Sequence, residues 1–184
     1  MTPWQLRQAV AALRDGGIIA YPTETVYGLG CDPLNPDAIA NLLALKHRPI
    51  EKGIILIAAD VDQLKSFIDV DDPELLNKLA QTTERPTTWI CPARTSTPRW
   101  LCGQHNSIAV RISRHPTAQQ LCQQFGGAIV STSANPAGLK PAHTPLSVRH
   151  YFNGQLDYII GGRCNPLAQP SRIVDITSGR LIRE

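Results

Sequence analysis

Gly53 to Ala59, GIILIAA, is an unbroken apolar run of strand length, and segments with helical and strand patterning alternate on both sides of it. Thr2 as N-cap, Pro3 at the first helical position, apolar Leu6, Ala9, Val10 and Leu13, and a Gly16-Gly17 stop predict a first helix. GIIAYP then reads as a short buried strand. Asn35-Pro36 opens a second helix with Ile39, Leu42, Leu43 and Lys46 on its turns, and Pro49 ends the segment. Past GIILIAA, the pattern predicts a short helix around Leu64 to Ile68 and another from Pro73 to Thr82, capped by Asp71 or Asp72. Strands are predicted at Thr87 to Cys91, Ser107 to Ile112 and Ala128 to Thr132, with a helix at Pro116 to Phe125. Thr144-Pro145 repeats the N-cap and proline signal for a short helix to Tyr151. LDYII, SRIVDI and GRLIR read as closing strands, the last two joined by Thr177-Ser178-Gly179. Helices interspersed with strands, some of them adjacent hairpins, argue for an α/β fold with a twisted mixed sheet.

No repeat, low-complexity stretch or linker divides the 184 residues, so one domain over 1–184 is expected. No window approaches the roughly 20 apolar residues of a membrane span. The N-terminus lacks a signal peptide's greasy centre, which predicts a cytoplasmic protein without membrane association. Five widely spaced cysteines with no CxxC pair read as free thiols in a reducing compartment. Residues 1–92 carry 8 Lys+Arg against 12 Asp+Glu, and residues 93–184 carry 10 against 3. The basic half uses nine arginines and one lysine. Arginine's planar fork suits phosphate or carboxylate, so the bias points to an anionic ligand such as a nucleotide or RNA, with a solvated basic surface as the plainer explanation.

Three segments carry candidate chemistry. In Tyr21 to Gly30, YPTETVYGLG, a buried strand runs into hydroxyls, a carboxylate and glycines, which either face a small ligand or merely cap a turn. In Lys46-His47-Arg48-Pro49, followed by Lys52, alternate residues of an extended or loosely wound stretch would aim two cations at one anion. Neutralising a helix C-terminus explains Lys46 equally well and Arg48 poorly. In Ser131-Thr132-Ser133-Ala134-Asn135, hydroxyl and amide groups at a strand's end can bind phosphate or carboxylate, or form an ordinary serine-rich turn.

YPTETVYGLG, the K-x-R-P element, SIAVRIS followed by HP, VSTSAN, and the late PSRIVD with GRLIR occur here in the order found in YrdC/TsaC proteins, and the chain resembles that family over nearly its whole length. The resemblance implies a YrdC-like single domain with a concave electropositive face. It implies a nucleotidyltransferase, a threonylcarbamoyl-AMP synthase that forms threonylcarbamoyl-AMP and pyrophosphate from L-threonine, bicarbonate and ATP. That product serves t6A modification at position 37 of tRNAs reading ANN codons. By the same resemblance, Lys46 and Arg48 are catalytic, and Thr25, Arg111, Ser131 and Ser171 bind L-threonine. Arg48, Lys52, Ser107, Ser133, Asn135 and Arg183 bind ATP. ATP is a substrate with Mg2+ carried on its phosphates, and no protein-held metal is expected. The implied partners are the downstream tRNA threonylcarbamoyl-transfer enzymes, with direct binding of tRNA or double-stranded RNA as a further possibility.

Where the family usually has a W-P-G-P-x-T turn, this chain has Thr83-Glu84-Arg85-Pro86-Thr87-Thr88, which puts that loop's shape in question. The implied chemistry needs cations and hydroxyls but no protein nucleophile, so Lys46→Ala or Arg48→Ala is expected to abolish turnover and leave the fold intact. Two other readings compete. One is an RNA-binding module without catalysis, poorly served by 5% aromatic content. The other is a carbamoyl-adenylate-forming domain like those of hydrogenase maturation proteins, which usually sit in long chains with CxxC repeats.

Overall fold

Proline at the first helical position, preceded by a capping side chain, starts five of the six α-helices: α1 (Pro3–Arg14), α2 (Pro36–Leu45), α3 (Pro73–Ala80), α5 (Pro116–Phe125) and α6 (Pro145–Tyr151). The caps are Thr2, Asn35, Asp72, His115 and Thr144, each accepting from a main-chain N–H that the helix leaves unpaired. The remaining helix, α4 (Arg99–Cys102), is a single turn. These assignments come from a computed structural model that describes residues 1–81, 85–165 and 167–184.

Nine strands form one mixed sheet: β1 (Ile19–Pro22), β2 (Tyr27–Gly30), β3 (Ile55–Ala58), β4 (Thr87–Pro92), β5 (Ser107–Ile112), β6 (Ile129–Ser133), β7 (Tyr158–Ile159), β8 (Arg172–Asp175) and β9 (Leu181–Arg183). Their order across the sheet is β7-β1-β2-β6-β3-β5-β4-β8-β9. Three pairs are parallel (β7 with β1, β3 with β5, β4 with β8) and the others antiparallel.

Strand alternation sends the two faces to different cores. Leu56, Val110, Trp89 and Val130 join α2 residues such as Leu42 on one side. Ile57, Ile129, Ile19 and Tyr21 pack against Leu13 of α1 and Leu121 of α5 on the other. The α1–α5 layer covers only part of that second face. Ile55, Ala109, Arg111, Ser131 and Ser133 share it and line an open cavity instead, Ile55 and Ser131 two residues along from Ile57 and Ile129 and Arg111 directly across from Ile57.

Three expectations change. YGLG is strand β2, paired with β1 through Tyr21↔Gly28 and with β6 through Gly28↔Ser133. Residues 64–68 are not an α-helix: a 3-10 turn over Asp62–Leu64 gives way to a bridge between Ile68 and Ala93. Helix α3 stops at Ala80, while Thr82, Thr83 and Glu84 lie outside the described residues. In the loop that departs from the family's W-P-G-P-x-T turn, Arg85 keeps a negative φ; His47 is the one non-glycine described residue with positive φ. All five cysteines are free thiols, as the spacing predicts.

Candidate functional site

The uncovered stretch of sheet floors a cavity of about 630 Å³. Thr23, Thr25 and Gly28 border it from the β1–β2 hairpin, Arg48 and Lys52 from the segment after α2, Arg111 from β5, and Ser131 and Ser133 from β6. Ser171, just before β8, and Arg183 of β9 close it. The charged groups in this lining are Arg48, Lys52, Arg111, Arg183 and the carboxylate residue Glu184. A smaller space of about 170 Å³ adjoins it and adds Lys46, His47 and Asn135 to Arg48, Lys52, Thr132 and Ser133.

Arg48 and Lys46 are placed by a helix cap rather than by an extended stretch. Arg48 N–H donates to Leu43 O (2.9 Å) and His47 N–H to Ala44 O (3.0 Å), with His47 left-handed at φ 49°. That is the Schellman arrangement, with histidine where glycine is usual. The cap turns the two cations to different tasks. Lys46 Nζ donates to the carbonyls of Ser133 and Asn135, and burial together with the charge of Arg48 pushes its ammonium down to about 8. Arg48 Nη2 donates to Gly53 O at 2.9 Å, burial holds its guanidinium below the usual range, and its Nε has no hydrogen-bond partner among the described residues.

The loop that carries Lys52 is seated on α4, where Gly103 has φ 65° and Gln104 N–H donates to Glu51 O. A Cβ on Gly103 would stand 2.3 Å from Glu51 O, so only glycine permits this approach.

At the other end, Arg111 reaches the cavity from central strand β5, and its Nη2 lies 3.8 Å from Glu24 Oε2. Glu24 Oε1 accepts from Ser113 Oγ (2.8 Å), Arg114 N–H (2.8 Å) and His115 N–H (3.2 Å). Burial raises the Glu24 carboxyl, but the Arg111 charge and these donors outweigh it and hold the group below the ordinary carboxylate value. Thr25 Oγ1 donates to Gln169 O (3.2 Å), tying the hairpin turn to the segment before β8. The Tyr27 hydroxyl, 3.0 Å from both Ile160 O and Gly162 O, anchors the start of that segment, and burial pushes it up to about 12.

Most of the residues singled out from sequence converge on these two spaces, but three differ in what they present. Ser107 lies outside both linings, at the start of β5 and about 13 Å along the strand from Arg111. Asn135 borders the smaller space, yet its amide is engaged by Ser133 Oγ (2.6 Å), Pro136 O and Leu139 O. The Ser171 hydroxyl accepts from Thr88 Oγ1 at 3.1 Å, and its carbonyl accepts from Arg183. Glu24 had no assignment from sequence. Its signal was a carboxylate between two threonines, and its partners lie some 90 residues away.

Fold and site together define an α/β protein with guanidinium, ammonium and hydroxyl groups around one cavity on an uncovered part of its mixed sheet. Residues 11–184 match the Sua5/YciO/YrdC family, described as "Telomere recombination", and the chain belongs to that family. It is 46% identical over its whole length to the threonylcarbamoyl-AMP synthase of Cellvibrio japonicus, covering 99% of that protein. It is 49% identical over 98% of its length to the threonylcarbamoyl-AMP synthase of Methylococcus capsulatus, covering 97%. Among solved structures, P. abyssi Sua5 complexed with L-threonine superposes with a TM-score of 0.89 at 30% identity. That match spans 98% of this chain and 53% of the longer one. E. coli YciO gives 0.82 at 27% identity, over 97% of this chain and 88% of that one.

Proposed function

We propose that this chain is a threonylcarbamoyl-AMP synthase, a nucleotidyltransferase that joins L-threonine, bicarbonate or CO2, and ATP and releases pyrophosphate. The observation that carries it is the one cavity lined by Arg111, Ser131, Arg48 and Lys52, in a chain collinear with relatives bearing that name. Arg111 suits the threonine carboxylate, with Thr25, Ser131 and Ser171 around it. Arg48, Lys52, Ser133 and Arg183 suit the nucleotide's phosphates. In the reaction, the amine of threonine adds to bicarbonate or CO2 to give a carbamate and water or a proton. A carbamate oxygen then attacks the α-phosphorus, and the bond to pyrophosphate breaks.

Held cations and hydroxyl donors bring mutually repelling anions together and stabilise charge on the phosphorus oxygens, which supplies the rate without a protein nucleophile. A donor set of cations and hydroxyls fits phosphate oxygens, so magnesium enters as part of the ATP substrate. Among the described residues, no group of three or more His, Cys, Asp or Glu side chains is placed to hold a metal ion, and no helix is long and apolar enough to cross a membrane. The product feeds the enzymes that transfer the threonylcarbamoyl group to tRNA, in the cytoplasm. The test is incubation with ATP, bicarbonate and labelled L-threonine, with mass spectrometry for threonylcarbamoyl-AMP. Absence of product from well-folded protein overturns the reading.

A further inference from the structure

Glu24 is a largely buried carboxylate for which the proposed reaction has no use. One of its oxygens is saturated: Oε1 takes Ser113 Oγ and two main-chain N–H groups where β5 turns into α5. The other, Oε2, is closed to solvent and makes no hydrogen bond, and it faces Arg111 Nη2 at 3.8 Å. Arg111 Nε is likewise buried without a hydrogen-bond partner among the described residues, and only 13% of that side chain is exposed. The turn bearing Glu24 is pinned from the opposite side, where Asn165 N–H donates to Glu24 O at 3.1 Å. Glu24 is not among the cavity-lining residues, whereas Arg111 is.

We propose that Glu24 is a positioning residue for Arg111, fixing the guanidinium at the cavity wall so that a carboxylate ligand meets a pre-oriented cation. The proposal rests on the reading of this cavity as a site for L-threonine and ATP. An arginine side chain carries large rotamer freedom, and a ligand that must freeze it binds more weakly. A carboxylate rigidly seated on three donors confines the fork at no cost to the ligand. Because Oε2 stands off at 3.8 Å rather than closing a bidentate pair, the guanidinium's donors stay available to the cavity. The attraction also offsets the charge of a largely buried arginine before any ligand arrives.

Glu24→Gln keeps a carbonyl oxygen for the three donors and removes the charge that faces Arg111. Calorimetric titration is expected to show L-threonine binding up to about tenfold weaker, the scale of one long side chain that the ligand must now immobilise. KM for threonine rises in step, while kcat and KM for ATP stay within about twofold. With Arg111→Lys as the second arm of a double-mutant cycle, the losses are expected to be non-additive. A role confined to holding the β5–α5 turn would instead weaken ATP and threonine alike and lower Tm. Unchanged threonine affinity in folded Glu24→Gln, or additive losses, overturns the proposal. Should Glu24→Gln fail to fold, the wild-type protein decides: without ligand, the Arg111 Nε–H order parameter is expected above about 0.8, and a value below about 0.6 overturns the proposal. A wild type that binds ATP but no threonine overturns the functional reading, and the order parameter still reports on Glu24 and Arg111.

Discussion

Lys46 Nζ, at the C-cap of α2, donates to the main-chain carbonyls of Ser133 and Asn135, joining the cation segment to the end of β6. The same ammonium borders the smaller of the two adjoining spaces. Lys46 is therefore a structural tie as well as a candidate anion ligand, which revises the expectation that Lys46→Ala leaves the fold intact.

Lys46→Met strands the Asn135 carbonyl and leaves Ser133 O with the Asn135 N–H alone, at a cost of about 1–3 kcal/mol, and lowers Tm by roughly 3–10 °C. Arg48→Ala loses a single bond to Gly53 and lowers Tm by about 2–4 °C. Both are expected to reduce threonine-dependent pyrophosphate release by about 100-fold or more. Thermal melts beside turnover assays separate the two residues.

ATP affinity should depend on pH through Lys46. Its ammonium sits at about 8 against an ordinary 10.5, so it is charged at neutral pH and discharges as pH rises past 8. Binding of ATP is expected to weaken above pH 8, by up to about tenfold per pH unit. Lys46→Met should bind weakly with no such limb. A wild-type profile flat from pH 7 to 9.5 contradicts the reading of Lys46 as an anion ligand.

His47 occupies a left-handed position at φ 49° and is exposed. His47→Gly removes the Cβ strain and is expected to stabilise the protein by about 1 kcal/mol, seen as a Tm rise of roughly 2–4 °C. If it destabilises instead, the α2 cap is held by contacts of the imidazole.

Gly103→Ala drives a Cβ into Glu51 O and requires an alanine at φ 65°. The loop bearing Lys52 must move, so stability is expected to fall by about 2 kcal/mol or more, with KM for ATP raised and KM for threonine nearly unchanged. An equal effect on both constants would show that the two ends of the cavity are not independent.

Local chemistry was legible where it acts locally. A capping side chain followed by proline sets a helix start within four residues, and α5 and α6 begin and end where those signals put them. Strand β5 likewise matches its β-branched run. YGLG did not read as a strand because two of its four residues are glycine, which lowers β-propensity; pairing with β1 and β6 overrides that. Lys46 and Arg48 looked like alternate residues of one extended segment, whereas the six-to-one cap bond from Arg48 to Leu43 divides them.

Residue types and their order along the chain determine the helix starts, the mixed α/β class and the set of cations and hydroxyls at strand ends, because these follow from bonds and periodicities spanning a few residues. Which of those groups share a cavity depends on β6 pairing with both β2 and β3, and on α1 and α5 stopping short of one half of the sheet. The bonds from Lys46 to the Ser133 and Asn135 carbonyls and the pairing of Glu24 with Arg111 are of the same kind. Charge and hydrogen-bond contacts act over a few ångströms of space, and no spacing in sequence encodes a distance between groups some 90 residues apart.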